Sequence, residues 1–157
     1  MSLPRTRLHL KNRDVIVKEQ HVAHVVKEVS AGAEDPQHVA SLVGAFMQIQ
    51  PTVGHYVSAH SGELGLEGVV LTLLHAAVLA RAIETAIGRR LRAVRFEDLD
   101  GAAKSGATPE WLAQDEPELA GYLEGNLDPN DPTIGGGKRD VARRVLAVVA
   151  RAYLEQR

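Results

Sequence analysis

Cysteine is absent from this 157-residue chain, which excludes disulfides, thiolate catalysis and cysteine-held metals. Aromatic residues are scarce at 4%, with one tryptophan, three tyrosines and two phenylalanines. The core must therefore be built from valine, leucine and alanine, whose small side chains let helices approach closely. No charge of one sign dominates: 18 basic and 20 acidic residues leave a formal net charge of −2. Nothing in that balance draws the chain as a whole to nucleic acid or to an acidic membrane surface. Residues 1–11 hold no apolar run of the kind a secretory leader needs, so a cytoplasmic location is expected.

What the chain does have is one long apolar stretch, Leu66 to Ile87 (LEGVVLTLLHAAVLARAIETAI). Its valines, leucines and alanines leave no continuous hydrophilic face, and a helix apolar nearly all round is a helix with neighbours on all sides. The unbroken part is shorter than the roughly 20 residues a bilayer requires. His75 and Arg81 within it would also be costly in lipid. The expectation is a central helix in an all-α, compact bundle of about five to six helices.

Residues 1–13 are basic and poor in apolar groups, and read as a flexible N-terminal arm ahead of a single helical domain over 14–157. From Asp14 to Ser30, Val15, Val22, Val25, Val26 and Val29 recur at helical spacing. The β-branched content also admits a hairpin pairing Leu8-His9-Leu10 with Val15-Ile16-Val17, and helix is the favoured reading. Asp35 before Pro36 is an N-cap followed by proline at the first helical position, and the same order recurs at Thr108-Pro109. Pro51 closes one helix and opens a short one carrying Val53, Tyr56 and Val57. Further helices are predicted near 97–103, after Pro109, after Pro117 and over 139–155, with Asn126 to Gly137 as a loop.

Part of the chain resembles another part. Gln50-Pro51-Thr52-Val53-Gly54-His55-Tyr56-Val57 parallels Glu116-Pro117-Glu118-Leu119-Ala120-Gly121-Tyr122-Leu123, and Ala77 to Ile83 parallels Ala147 to Tyr153. Each unit reads as a short proline-started helix followed by a longer apolar one. Two related helical hairpins, 50–87 and 116–155, packed together would cover each other's apolar faces.

Candidate chemistry rests on the histidines. His21 and His24 stand at a spacing that can chelate a metal, but no carboxylate set completes a site, so no metal or cofactor is expected. Tyr56 and His60 share a helix face, and His75 lies mid-way along the apolar helix; with Arg81 they are the candidate ligand-binding residues. A buried imidazole needs a hydrogen-bond partner, and these groups would find one in a shared polar pocket. Gly135-Gly136-Gly137-Lys138 lacks the serine or threonine and the spacing of a phosphate loop. Asp128, Asn130 and Asp131 fit Asx turns beside prolines rather than a calcium loop. Arg89, Arg90, Arg92 and Arg95 form the one basic cluster, and Glu97, Asp98 and Asp100 directly after it nearly cancel its charge.

The sequence therefore points to a non-enzymatic interaction or scaffold domain that self-associates, most simply as a homodimer. The alternative is a bundle binding a small molecule or metal through the His/Tyr pocket. A nucleic-acid-associated regulator using Arg89 to Arg95 is the weaker third.

Overall fold

A computed structural model describes residues 15–32 and 34–157. Among the described residues there are eight helices and no strand. They are α1 (Glu19–Ser30), α2 (Pro36–Ile49), α3 (Pro51–Ser58), α4 (Ser61–Ile87), α5 (Phe96–Lys104), α6 (Pro109–Asp115), α7 (Pro117–Asn126) and α8 (Gly137–Leu154). Eight elements replace the expected five to six because each proline-marked turn keeps its short helix separate. The possible Leu8–Leu10 strand lies outside the described residues.

The proline signals mark helix starts as the physics requires. Asp35 accepts a hydrogen bond from the Gln37 N–H, and the Thr108 hydroxyl accepts one from the Trp111 N–H, each with proline inside the first turn. The helix expected from Asp14 begins only at Glu19. Residues 15–18 are non-helical, because the Ile16 and Val17 N–H groups are drawn to the carboxylate of Glu116 instead.

The α4 helix is the centre of the molecule. Its most extensive packing is against α8, and α1, α2 and α3 also lie on it. Ala76, Leu79, Ala82 and Ile83 of α4 are fully buried, as are Leu146, Val149, Ala150 and Tyr153 of α8. A side chain the size of Leu79 or Ile83 contributes about 1.5–3 kcal/mol by leaving water. Tyr153 spans this seam, its hydroxyl donating to the Ala76 carbonyl at 3.1 Å.

Length does not argue against a membrane span, contrary to the expectation from the unbroken run. The 27-residue α4 is long and apolar enough, with a mean hydropathy of 1.7 in its richest 18-residue window. Of that window 61% is buried by the other helices, which is the condition of a core helix.

The two expected hairpins pack differently. The α3 and α4 helices do lie together, whereas α7 packs chiefly on α6 and α1 rather than on α8. The long loop after α7 is pinned: Leu127 and Ile134 are fully buried, and Asp128 and Asp131 accept hydrogen bonds from the N–H groups of Asn130 and Thr133. These are the Asx turns expected there.

Gly65 breaks α4 after its first turn, with φ 73° and ψ 167°. That region is essentially closed to residues with a Cβ. Gly65→Ala is expected to lower unfolding free energy by about 1–3 kcal/mol, measured by denaturant titration. An unchanged midpoint would show that the break can be straightened without cost.

Candidate functional site

Two polar side chains with almost no exposure order the chain. Gln50 precedes α3 and Glu116 precedes α7, with similar backbone angles (φ −125°, ψ 65° and φ −139°, ψ 75°). They are 2% and 0% exposed. Gln50 accepts from the Val94 N–H at 2.8 Å and donates to the Arg92 carbonyl at 3.0 Å. Glu116 accepts from the Val17 N–H at 3.0 Å and the Ile16 N–H at 3.1 Å. Each therefore fixes an extended segment directly ahead of another helix, α5 for Gln50 and α1 for Glu116. Those two helices start alike, the His21 ring accepting from the Lys18 N–H and the Asp98 carboxylate from the Arg95 N–H.

The sequence candidates fall in three places. Tyr56 and His60 are together, their rings edge to face at 5.6 Å, and His60 Nδ1 lies 3.0 Å from Glu63. His75 is elsewhere, on the face of α4 turned to α7. Its Nδ1 is 2.7 Å from the Tyr122 hydroxyl, and the two rings meet edge to face. Burial holds the His75 pKa down to about 4, so the ring is neutral near pH 7. Its other nitrogen, Nε2, is buried and has no hydrogen-bond partner among the described residues. Tyr122 is likewise pushed up by burial, so this pair stays uncharged at neutral pH. Arg81 is at a third location, exposed and 3.3 Å from Glu28 of α1.

Arg81 stands on the rim of a cleft that spacing alone does not reveal. Between α1, α2 and α4 lies a cavity of about 240 Å³, open to solvent. Val25 and Val29 of α1, Leu42, Ala45, Phe46 and Ile49 of α2, and Leu74, Ala77 and Val78 of α4 wall it, with Gln50 at one end. Glu28, His38, Arg81 and Glu84 supply the polar positions. Ile49 is 54% exposed. The Glu84 carboxylate also accepts from the Leu91 N–H at 2.9 Å, tying the cleft to the chain that leads into α5.

The chemistry available here is burial of an apolar group beside a guanidinium and two carboxylates. Among the described residues no group of three or more histidine, aspartate or glutamate side chains is placed to hold a metal ion. The His21 and His24 pair is divided between its own local partners, the Lys18 backbone and Glu28.

The matching face of the second half, between α6 and α8, is built differently. Arg151 stacks over the Trp111 indole, its guanidinium carbon 4.9 Å from the ring centroid. The space that remains there, about 180 Å³, is lined by Trp111, Asp115, Arg151, Leu154, Glu155 and Arg157.

Sequence reasoning singled out Arg81 but not the walls around it, because Leu42, Phe46 and Ile49 have the spacing of any helix face turned to a core. Gln50 and Glu116 were visible as the residues before matching prolines; a polar residue at that place in both copies was the available signal.

No family model matches the chain, and no curated protein and no solved structure matches it either.

Proposed function

We propose that the protein is a non-enzymatic interaction module of the cytoplasm that self-associates, and that the α1/α2/α4 cleft is its docking surface. The observation that carries this reading is the open apolar wall itself. Ala45 and Ile49 are exposed there, Val29, Leu42, Leu74 and Ala77 are partly so, and Phe46 and Val78 form the buried floor. Contiguous exposed apolar surface rimmed by polar groups marks an interaction site. The rim supplies charges of both signs, Arg81 against Glu28 and Glu84, which suits recognition of a protein surface rather than of an all-anionic polymer.

We also read the chain as two related units. The matched Gln50-Pro51 and Glu116-Pro117 starts, the crossed backbone clamps and the similar entries to α1 and α5 all favour duplication. In the second unit the chain covers the cleft face with its own tryptophan; in the first it leaves that face open.

Native mass spectrometry across a micromolar concentration series tests the function. The expected result is a dimer without added mass. A bare monomer at every concentration would refute self-association. A monomer that retains a small apolar molecule would favour the second reading, a ligand-binding bundle, which the cavity volume supports because it approaches the size of small-molecule sites. In that case the ligand would sit beside Arg81, away from His75.

A further inference from the structure

The second half of the molecule indicates what the open cleft takes. Aligned on Gln50-Pro51 and Glu116-Pro117, Ala45 and Phe46 correspond to Trp111 and Leu112. Phe46 and Leu112 are both buried, so the two helices present the same face inward. Aligned on Ala-Arg-Ala, Arg81 corresponds to Arg151 and Glu84 to Leu154. Where the second half has an indole under a guanidinium, the first has a methyl group, and Arg81 turns instead to Glu28 at 3.3 Å. Leu154 is buried while Glu84 is only partly so. An aromatic ring beneath Arg81 would give the first half the arrangement the second half already has.

Among the described residues one aromatic side chain is exposed: Phe96, at 64%, the first residue of α5. Arg90, Arg92 and Arg95 lie exposed before it and Glu97, Asp98 and Asp100 follow it, while Arg81, Glu28 and Glu84 flank the cleft, so each surface offers charges of both signs. They are also close on one molecule. Gln50, which lines the cleft, holds Arg92 and Val94 by their backbone, just ahead of Phe96. A two-fold, self-complementary interface pairs such a knob with the socket of the other copy in both directions.

Building on the self-association reading, we infer that Phe96 of a second copy of this chain inserts into the cleft beneath Arg81, reciprocally in both directions. The inserted ring covers the exposed parts of Leu42, Ile49 and Leu74, and the arginines beside it meet Glu28 and Glu84. A guanidinium over a ring face adds to the burial of the ring.

Sedimentation velocity over a concentration series, in low and high salt, tests this with two variants. Phe96→Ala removes the knob at an exposed position. Ala45→Trp supplies the first half with its own ring, as Trp111 does in the second. Each is expected to raise the dimer dissociation constant at least about thirtyfold, the scale of a hot-spot truncation. Ala45→Trp is expected to melt no lower than wild type. An equimolar mixture of the two is expected to regain a weaker heterodimer, since one intact Phe96 then meets one open cleft. High salt weakens the wild-type dimer in this scheme.

Dimers of wild-type strength in both variants would overturn the Phe96 contact while leaving self-association through another face standing. A monomeric wild type would overturn both. A small molecule retained by wild type and lost from Ala45→Trp would assign the cleft to that ligand instead. If circular dichroism shows Ala45→Trp to be misfolded, Phe96→Ala and the salt series decide alone.

Discussion

Replacing Glu116 by alanine is expected to destabilise the protein by about 3–4 kcal/mol, from two buried N–H groups left without acceptors at roughly 1–3 kcal/mol each. The side chain is fully buried, and its two oxygens take the Ile16 and Val17 N–H groups. Water cannot replace them without opening the packing of Val17, which is itself fully buried. Burial raises the pKa of this carboxyl, against the opposing pull of the two backbone donors and Arg157. Glu116→Gln keeps one acceptor oxygen and is expected to cost about half as much. Gln50→Ala is expected to cost about half as much as Glu116→Ala, because the Val94 N–H loses its acceptor while the Arg92 carbonyl keeps the Gln156 amide as donor. Urea titration at neutral pH measures all three. A loss under about 1 kcal/mol for Glu116→Ala would mean that residues 15–18 are not held by this carboxylate.

The second large effect is a loss of stability in acid traced to His75. The folded ring has a pKa of about 4 against an ordinary value of 6.5. Between those values the unfolded chain binds a proton that the folded protein excludes, so stability falls as pH falls through the window. The contribution is complete above pH 6.5 and lost progressively down to the folded pKa, in all about 3 kcal/mol. The cause is burial, since the ring is 5% exposed and its nearest polar partner is the Tyr122 hydroxyl. Glu116 acts in the opposite sense: with its pKa raised, its contribution is fully present below the ordinary value of 4.5 and lost as pH rises through the folded one. The test is therefore a difference. Denaturation of wild type and His75→Leu at pH 7 and at pH 4.5 should show a steeper acid loss for wild type, and NMR should place the His75 titration near pH 4. Equal losses in the two proteins would assign the acid sensitivity elsewhere.

Local chemistry was legible in the sequence wherever one residue type dictates the backbone. Proline after an Asp or Thr cap located α2 and α6, proline alone located α3 and α7, and the run from Leu66 announced the central helix. These signals lie within a few residues of what they control. The start of α1 was misplaced because its limit is set by Glu116, a hundred positions away, and no local window contains that partner. The same holds for the candidate site. Periodicity put Tyr56 with His60 and marked His75 as buried, but it could not say that His75 faces Tyr122.

The sequence by itself determined the helical character of the described residues, the proline-marked helix starts and a core of small aliphatic side chains. Those follow from backbone stereochemistry and from the apolar pattern, which act residue by residue. Only the tertiary structure decided which helices meet, that Gln50 and Glu116 hold distant segments, and that Arg81 overlooks an open cleft while Arg151 covers a tryptophan. Such relations depend on how side chains far apart in the chain share space and hydrogen bonds. An alanine at 45 and a tryptophan at 111 look equally at home on an amphipathic helix. Packing against α4 and α8 is what leaves one face open and the other covered.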